Sequence, residues 1–308
     1  MMNEKYRLIT RSDFDGLASA VLLKKLDMID DIKFVHPKDM QDGLIEVTNK
    51  DITTNLPYVE GVYLAFDHHL SETIRNKGQR DNHIIDPDAP SAARVVYDYY
   101  GGLDVFPATW NAMMAAVDKA DSAAFSKEDV LNPSGWELLS FLMDARTGLG
   151  RFREFRISNY NLMMELIDYC TTHTIEEILL LEDVKERVDL YFYYEDNFKK
   201  QLKEKGQLQN NVLLVDLRDA HTIYPGNRFL KYALYDQSNI SVQVIWGFQK
   251  QNTVFTVGKS IFNKTSDVNI GELMLEYGGG GHRNAGTCQV PNDDAEKILL
   301  EIIERLKD

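Results

Sequence analysis

Five short stretches of this sequence gather the carboxylates, imidazoles and glycines from which a reactive site could be built. They are Asp13 and Asp15 in TRSDFDG, the isolated Asp51, and Asp67-His68-His69 directly after the apolar run VYLAF. The other two are AAVDKADSAAF, with Asp118 and Asp121, and YGGGGHRNAGT at 277–287. Carboxylates with an imidazole are the ligand types of Mn²⁺ or Mg²⁺, and the imidazole favours the transition metal. Two such ions held about 4 Å apart generate hydroxide from water and stabilise both ends of an in-line displacement at phosphorus. Thiolate-rich zinc chemistry is excluded, because Cys170 and Cys288 are the only cysteines.

Each stretch also has a plainer reading. Asp13 or Asp15 could cap the helix that follows, but one cap does not need two acids. The i, i+2 spacing puts both carboxylates on one side of an extended chain, and Gly16 lets the backbone turn into a helix. Asp51 alone reads as an exposed loop acid. Asp118 and Asp121 lie three apart on one helical face, where most such pairs are simply solvated. The alanines around them make that role less comfortable for both. Asp67-His68-His69 could decorate a surface turn. Four consecutive glycines, 278–281, suit backbone amides that approach a ligand closely or form an anion nest. His282, Arg283 and Asn284 then offer a proton carrier, a forked phosphate ligand and an amide donor.

The elements that must carry these residues follow from periodicity. Strands are expected at 6–10, 32–37, 44–48 (weakly), 61–66 and 83–86, with helices at 16–27 and 91–100. Strands alternating with helices imply a mainly parallel sheet covered on both faces, whose ligands bind beyond the carboxyl ends of the strands. From Thr109 to about Lys205 the pattern is helical, and its last, long charged helix reads as a bridge that stops at Gly206. A second α/β segment follows, with strands at 210–219, 240–248 and 253–260 and helices at 228–236, 269–278 and 294–307. The fold class is therefore α/β. A five-stranded, mainly parallel domain over 1–150 is joined by a helical connector over 151–206 to a smaller domain with a mixed sheet over 207–308.

With 308 residues the chain is long enough for two cores. The formal net charge of −14 disfavours a grip on long nucleic acid but not on a small phosphorylated ligand. No apolar run approaches the roughly 20 residues that span a bilayer, and the first residues lack a basic n-region and a long apolar h-region. The expectation is a cytoplasmic protein without a membrane partner. The oligomeric state, a homodimer included, stays open.

Taken in order, these pieces resemble the DHH phosphoesterase family, in the subgroup that carries the DHH-associated C-terminal domain. The motifs are a D-x-D-G loop, an isolated acid, Asp-His-His after an apolar strand, a further acid, and G-G-G-H-x-N-A-G. They span nearly the whole chain. Members include nanoRNA and phosphoadenosine-phosphate phosphatases, cyclic-dinucleotide phosphodiesterases and single-strand exonucleases, and this chain also resembles exopolyphosphatase-like sequences. The resemblance implies a Mn²⁺-dependent hydrolase of short phosphorylated nucleotides, with Mg²⁺ as the other candidate ion. Asp13 and Asp51 would hold one ion; Asp15, Asp51, His68 and Asp121 the other. Asp121 is preferred to Asp118 because DSAAF fits the family's fourth motif. Asp67 would orient His68, and His69 would face the scissile phosphate. Gly280, Gly281, His282, Arg283 and Asn284 would bind the rest of the substrate across an interdomain cleft. One departure stands out: where the family has a histidine before the acid pair, this chain has Thr10, Arg11 and Ser12. Arginine does not ligate metal, so the expectation is a weak first site, or one filled only with substrate, and Arg11 on a substrate phosphate. The competing readings are a polyphosphatase or pyrophosphatase and a non-catalytic nucleotide sensor.

Overall fold

The structure is a computed structural model that describes residues 4–75, 80–151 and 154–307. The chain forms two compact units. The first comprises Met1–Phe125, Pro133–Ala145 and Gly150–Asp189; the second comprises Ser126–Asn132, Arg146–Leu149 and Leu190–Asp308.

The first unit is built on five parallel strands: β1 (Tyr6–Thr10), β2 (Ile29–Phe34), β3 (Asp51–Thr54), β4 (Leu64–Asp67) and β5 (His83–Ile85), in the order β2-β1-β3-β4-β5. The chain steps from β1 to β2 on one side and returns to place β3 on the other. The order therefore switches between β1 and β3, where the carboxyl ends of an open parallel sheet leave a crevice. Helix Phe14–Lys25 leaves β1 directly and is buried from Phe14 through Leu23. A helix apolar on all sides must be covered on all sides. The neighbours that cover it include helices Ala92–Tyr99, Asn111–Asp121 and Asn159–Thr172.

The second unit holds a mixed sheet of β6 (Gly206–Gln209), β7 (Val212–Asp216), β8 (Ile240–Trp246), β9 (Thr253–Lys259), β10 (Gly280–His282) and β11 (Ala285–Val290). Its order is β10-β11-β9-β8-β7-β6, and only the β7–β8 pair is parallel. Val212, Val242, Val244, Phe255 and Val257 meet Ile270, Met274 and Ile302 in its core.

The expected α/β class, with a parallel five-stranded sheet and a second, mixed sheet, holds, with local corrections. No strand forms at 44–48, where Leu44 is 70% exposed; the pairing strand starts at Asp51 instead. The helix expected at 228–236 contracts to Leu230–Leu234. The long helical stretch breaks at Leu181, whose ψ of 136° is not helical, into Ile175–Leu180 and Glu182–Lys205. Gly206 ends the latter by starting β6.

The largest correction concerns the glycine run. Its second half, Gly280 and Gly281, is not a loop but part of one arm of a β10–β11 hairpin, in which His282 pairs with Ala285 across the two-residue turn Arg283-Asn284, while Gly278, in a turn, and Gly279 precede it. Close packing explains the composition. A Cβ on Gly281 would overlap the carbonyl oxygen of Ala285 and the Cα of Gly286. The Gly281 carbonyl oxygen would itself lie 2.8 Å from a Cβ on Gly271 of helix Ile270–Glu276. Replacing Gly281 by Ala is thus expected to destabilise the second unit by about 1–3 kcal/mol, as overpacking does. Thermal unfolding of the variant measures this.

Candidate active site

The expected site residues of the first unit divide by which end of the sheet they occupy. Asp13 and Asp15 follow β1, and Asp67 closes β4 with His68 and His69 behind it. These are carboxyl ends. Asp121 is the last residue of helix Asn111–Asp121.

Asp15, His68 and Asp121 come together. One ligand atom from each lies within 4.8 Å of the other two. Asp15 is 2% exposed, and its two oxygens accept the N–H groups of Ala92 (3.0 Å) and Ala93 (2.7 Å) at the start of helix Ala92–Tyr99. Burial, then the charges of Asp121 and Asp13, hold its carboxyl well above the ordinary range despite those bonds. His68 Nδ1 lies 3.1 Å from the Ala89 carbonyl oxygen and must donate to it. In the neutral ring, Nε2 is then an acceptor facing another acceptor, Asp121 Oδ2, at 2.8 Å. Two lone pairs at that distance require a proton or a cation. Burial opposes a charge on the ring, but the hydrogen bond to Asp121 and the charges of Asp121 and Asp15 lift its pKa to about 9. A divalent cation fits where that proton sits, and an imidazole with its far nitrogen on a backbone carbonyl is already oriented as a ligand.

Asp118, the rival of Asp121, has other work. It accepts Arg94 Nη2 (2.6 Å), Arg94 Nε (3.1 Å) and Ser91 Oγ (2.8 Å), which ties its helix to the start of helix Ala92–Tyr99. Asp67 orients the other histidine. Its Oδ1 lies 2.7 Å from His69 Nδ1 and accepts the backbone N–H of His68 (2.8 Å). The expectation that Asp67 holds His68 is corrected: the Ala89 carbonyl does that.

Asp51 is also corrected. As the first residue of β3, opposite Arg7 in the register, it lies at the amino end of the sheet, about 10 Å from the carboxyl end across a four-residue strand. Its carboxylate binds Arg7 through Nε (2.7 Å) and Nη2 (3.0 Å), and Thr48 through its backbone N–H (2.6 Å) and Oγ1 (3.0 Å). Burial works against its charge, but Arg7 and Thr48 hold the carboxyl below the usual range. It therefore cannot bridge ions beside Asp13.

The residue at the carboxyl end of β3 is Asn55, in left-handed backbone (φ 55°) and 1% exposed. Its Nδ2 lies 3.4 Å from both oxygens of Asp13. Its Oδ1 is buried with no hydrogen-bond partner among the described residues. Asp13 also caps helix Phe14–Lys25 by accepting Gly16 N–H (3.0 Å), and it pairs with Arg11 Nε (3.1 Å). Sequence reading missed Asn55. The β-branched Ile52, Thr53 and Thr54 were the available signal, since a strand there makes Asn55 its exit residue.

In the second unit, His282, Arg283 and Asn284 are exposed at the hairpin tip. Lys259, which the sequence did not single out, joins them. Its N–H donates to the Asn284 carbonyl (2.9 Å) and its Nζ to the Ser266 carbonyl (2.9 Å). Burial and the charge of Arg283 hold its ammonium below the usual range. This is a local cationic surface on an acidic protein, as an anionic ligand requires. Among the described residues, no helix is long and apolar enough to cross a membrane.

No family model matches the sequence. The A-adding tRNA nucleotidyltransferase of Aquifex aeolicus is 25% identical over 199 residues, 64% of this chain. The match spans only about a fifth (20%) of that protein. Among solved structures, the pGpG-specific phosphodiesterase PggH from Vibrio cholerae is 59% identical, with a TM-score of 0.89 over 98% of this chain and 99% of that one. RecJ from Thermus thermophilus, solved in complex with Mn²⁺, shares the fold: 15% identity and a TM-score of 0.52 over all of this chain (100%) and 53% of its own.

Three outcomes follow from the geometry. A metal that displaces the His68 proton binds more tightly as pH rises toward 9 and releases protons on binding. Calorimetry in buffers of different ionisation enthalpy is expected to show that release. The raised carboxyl of Asp15 means that the metal-free native state keeps a proton the unfolded chain gives up, so its contribution to stability fades as pH rises. The rise in Tm on adding Mn²⁺ is therefore expected to be larger at about pH 8 than at about pH 6. Asp51→Asn, by contrast, is expected to cost about 1–3 kcal/mol of stability through the broken Arg7 pair and to leave Mn²⁺ affinity unchanged in the same titration.

Proposed function

The chain belongs to the DHH phosphoesterase family, and from that premise we propose that it hydrolyses pGpG, a linear guanine dinucleotide with a 5′-phosphate, to two mononucleotides. The observation that carries this reading is the 59% identity to a pGpG-specific phosphodiesterase across almost the whole of both chains. The acidic net charge, with cations gathered at the hairpin tip, supports a small anionic substrate over a long one.

Asp15, His68 and Asp121 are the residues that would hold the divalent cation, with Mn²⁺ favoured by the imidazole. An ion held there supplies a Lewis acid for the phosphate oxygens and lowers the pKa of a nearby water. The protein's own groups do the rest. His69 keeps its Nδ1 proton on Asp67, which leaves Nε2 as the nitrogen that exchanges a proton with the reacting groups. In the reaction a water oxygen bonds to phosphorus, the bond from phosphorus to the 3′ oxygen breaks, and a proton from water ends on that oxygen. Arg11 offers a forked guanidinium to the phosphate. In the second unit, Lys259, His282, Arg283 and Asn284 form the group that suits an anionic ligand.

The test is an incubation with Mn²⁺ and a panel of pGpG, a linear adenine dinucleotide, a cyclic dinucleotide, a five-nucleotide RNA, a bisphosphate nucleotide and polyphosphate. Release of GMP from pGpG at a rate at least tenfold above the other substrates is the expected result. Faster phosphate release from polyphosphate would overturn the reading, as would pGpG binding without turnover.

A further inference from the structure

We propose that the site takes a single divalent cation, and that an ion pair, Arg11–Asp13, permanently fills the place where a second would sit. The inference rests on the phosphoesterase reading above and deepens it.

Three observations carry it. The first is the distribution of donors. Asp15, His68 and Asp121 make one compact group, with ligand atoms within 4.8 Å of one another. No comparable group of three includes Asp13 among the described residues. The second is that Asp13 is already engaged, by the Arg11 guanidinium at 3.1 Å, the Gly16 N–H at 3.0 Å and the Asn55 amide at 3.4 Å. A dication at Asp13 would have to displace the guanidinium or sit against it, like charge on like.

The third is the missing bridge. The resemblance implied that Asp51 bridges two ions about 4 Å apart, but Asp51 is bound to Arg7 at the opposite end of β3. The residue that exits β3 beside Asp13 is Asn55, an amide with no charge to share. Charges close on this count. One dication balances the two carboxylates of Asp15 and Asp121, and Arg11 balances Asp13. A second dication would leave two uncompensated positive charges beside the Arg11 guanidinium.

The measurement is Mn²⁺ stoichiometry on the full chain, by calorimetric titration and by metal analysis after desalting, each with and without GMP. The expected result is one ion per chain in both states, abolished in Asp15→Asn and retained in Asp13→Asn. Arg11→His with Asn55→Asp supplies an imidazole and a carboxylate beside Asp13 and is expected to bind two ions, seen as Mn–Mn coupling in electron paramagnetic resonance. Two ions in the wild type, or a second that arrives with GMP, would overturn the inference and leave the phosphodiesterase reading intact. No ion bound, with pGpG turnover unaffected by chelator, would overturn the metal assignment itself. Should the double variant fail to fold, the wild-type and Asp13→Asn stoichiometries still decide the matter.

Discussion

The first unit is organised around a repulsion. Asp13, Asp15 and Asp121 gather near the His68 imidazole beyond the carboxyl ends of parallel strands, and burial beside those neighbours makes the Asp15 charge costly. The fold offsets that cost with oriented backbone before any ion arrives. Ala92 and Ala93 aim the first free N–H groups of their helix at Asp15. Ser91 caps the same helix through Arg94 N–H. Asp118 then clamps Ser91 and Arg94 from helix Asn111–Asp121, whose last residue, one helical turn on, is the Asp121 that faces His68. The two acids three residues apart are not rivals for one role. One fixes the helix that stabilises Asp15, and the other completes the ligand group. A change at Asp118 therefore reaches the site without touching it.

How much of this the sequence reveals depends on whether a residue's role is set by type or by register. Asp15, His68 and Asp121 are legible because they stand at strand or helix ends that hydrophobic patterning marks well: VYLAF stops, and the acid and histidines begin. Asp51 is illegible for the opposite reason. Its strand has only four residues, with an acid at its start and an amide just past its end. Placing a strand at 44–48 turns 51–55 into a loop, and Asp51 then looks like the exit residue. Parallel pairing of Arg7 with Asp51 and Thr10 with Thr54 reverses that. Shifting the assigned strand by a few residues moves an acid from one end of the sheet to the other, which composition does not report.

The glycine run shows a related ambiguity. Four glycines in a row weaken any regular element, so a loop is the natural reading, and an anion nest the natural use. The hairpin reconciles both properties with packing. Backbone approaches backbone where Gly281 meets Ala285 and Gly286, and where Gly271 lets helix Ile270–Glu276 sit against the hairpin. The result is rigidity. His282, Arg283 and Asn284 project from a two-residue turn pinned by strand pairing and by the Lys259 and Ile270 amides. A tip held this way would lose less conformational entropy on meeting a ligand than a flexible loop would.

Arg11 beside Asp13 and the Asn55 amide at the exit of β3 have a consistent electrostatic sense. A metal ligand before Asp13 would need an ion to be useful; a guanidinium brings its charge with it and keeps that charge at any physiological pH. An acid at position 55 would add a fourth carboxylate that only a second ion could balance, whereas an amide adds none. The two residues are therefore linked. Arg11 without Asn55 would leave an excess of buried negative charge, and Asn55 without Arg11 would leave Asp13 without a cation. Together they turn a site that must recruit its second positive charge from solution into one that folds with that charge in place.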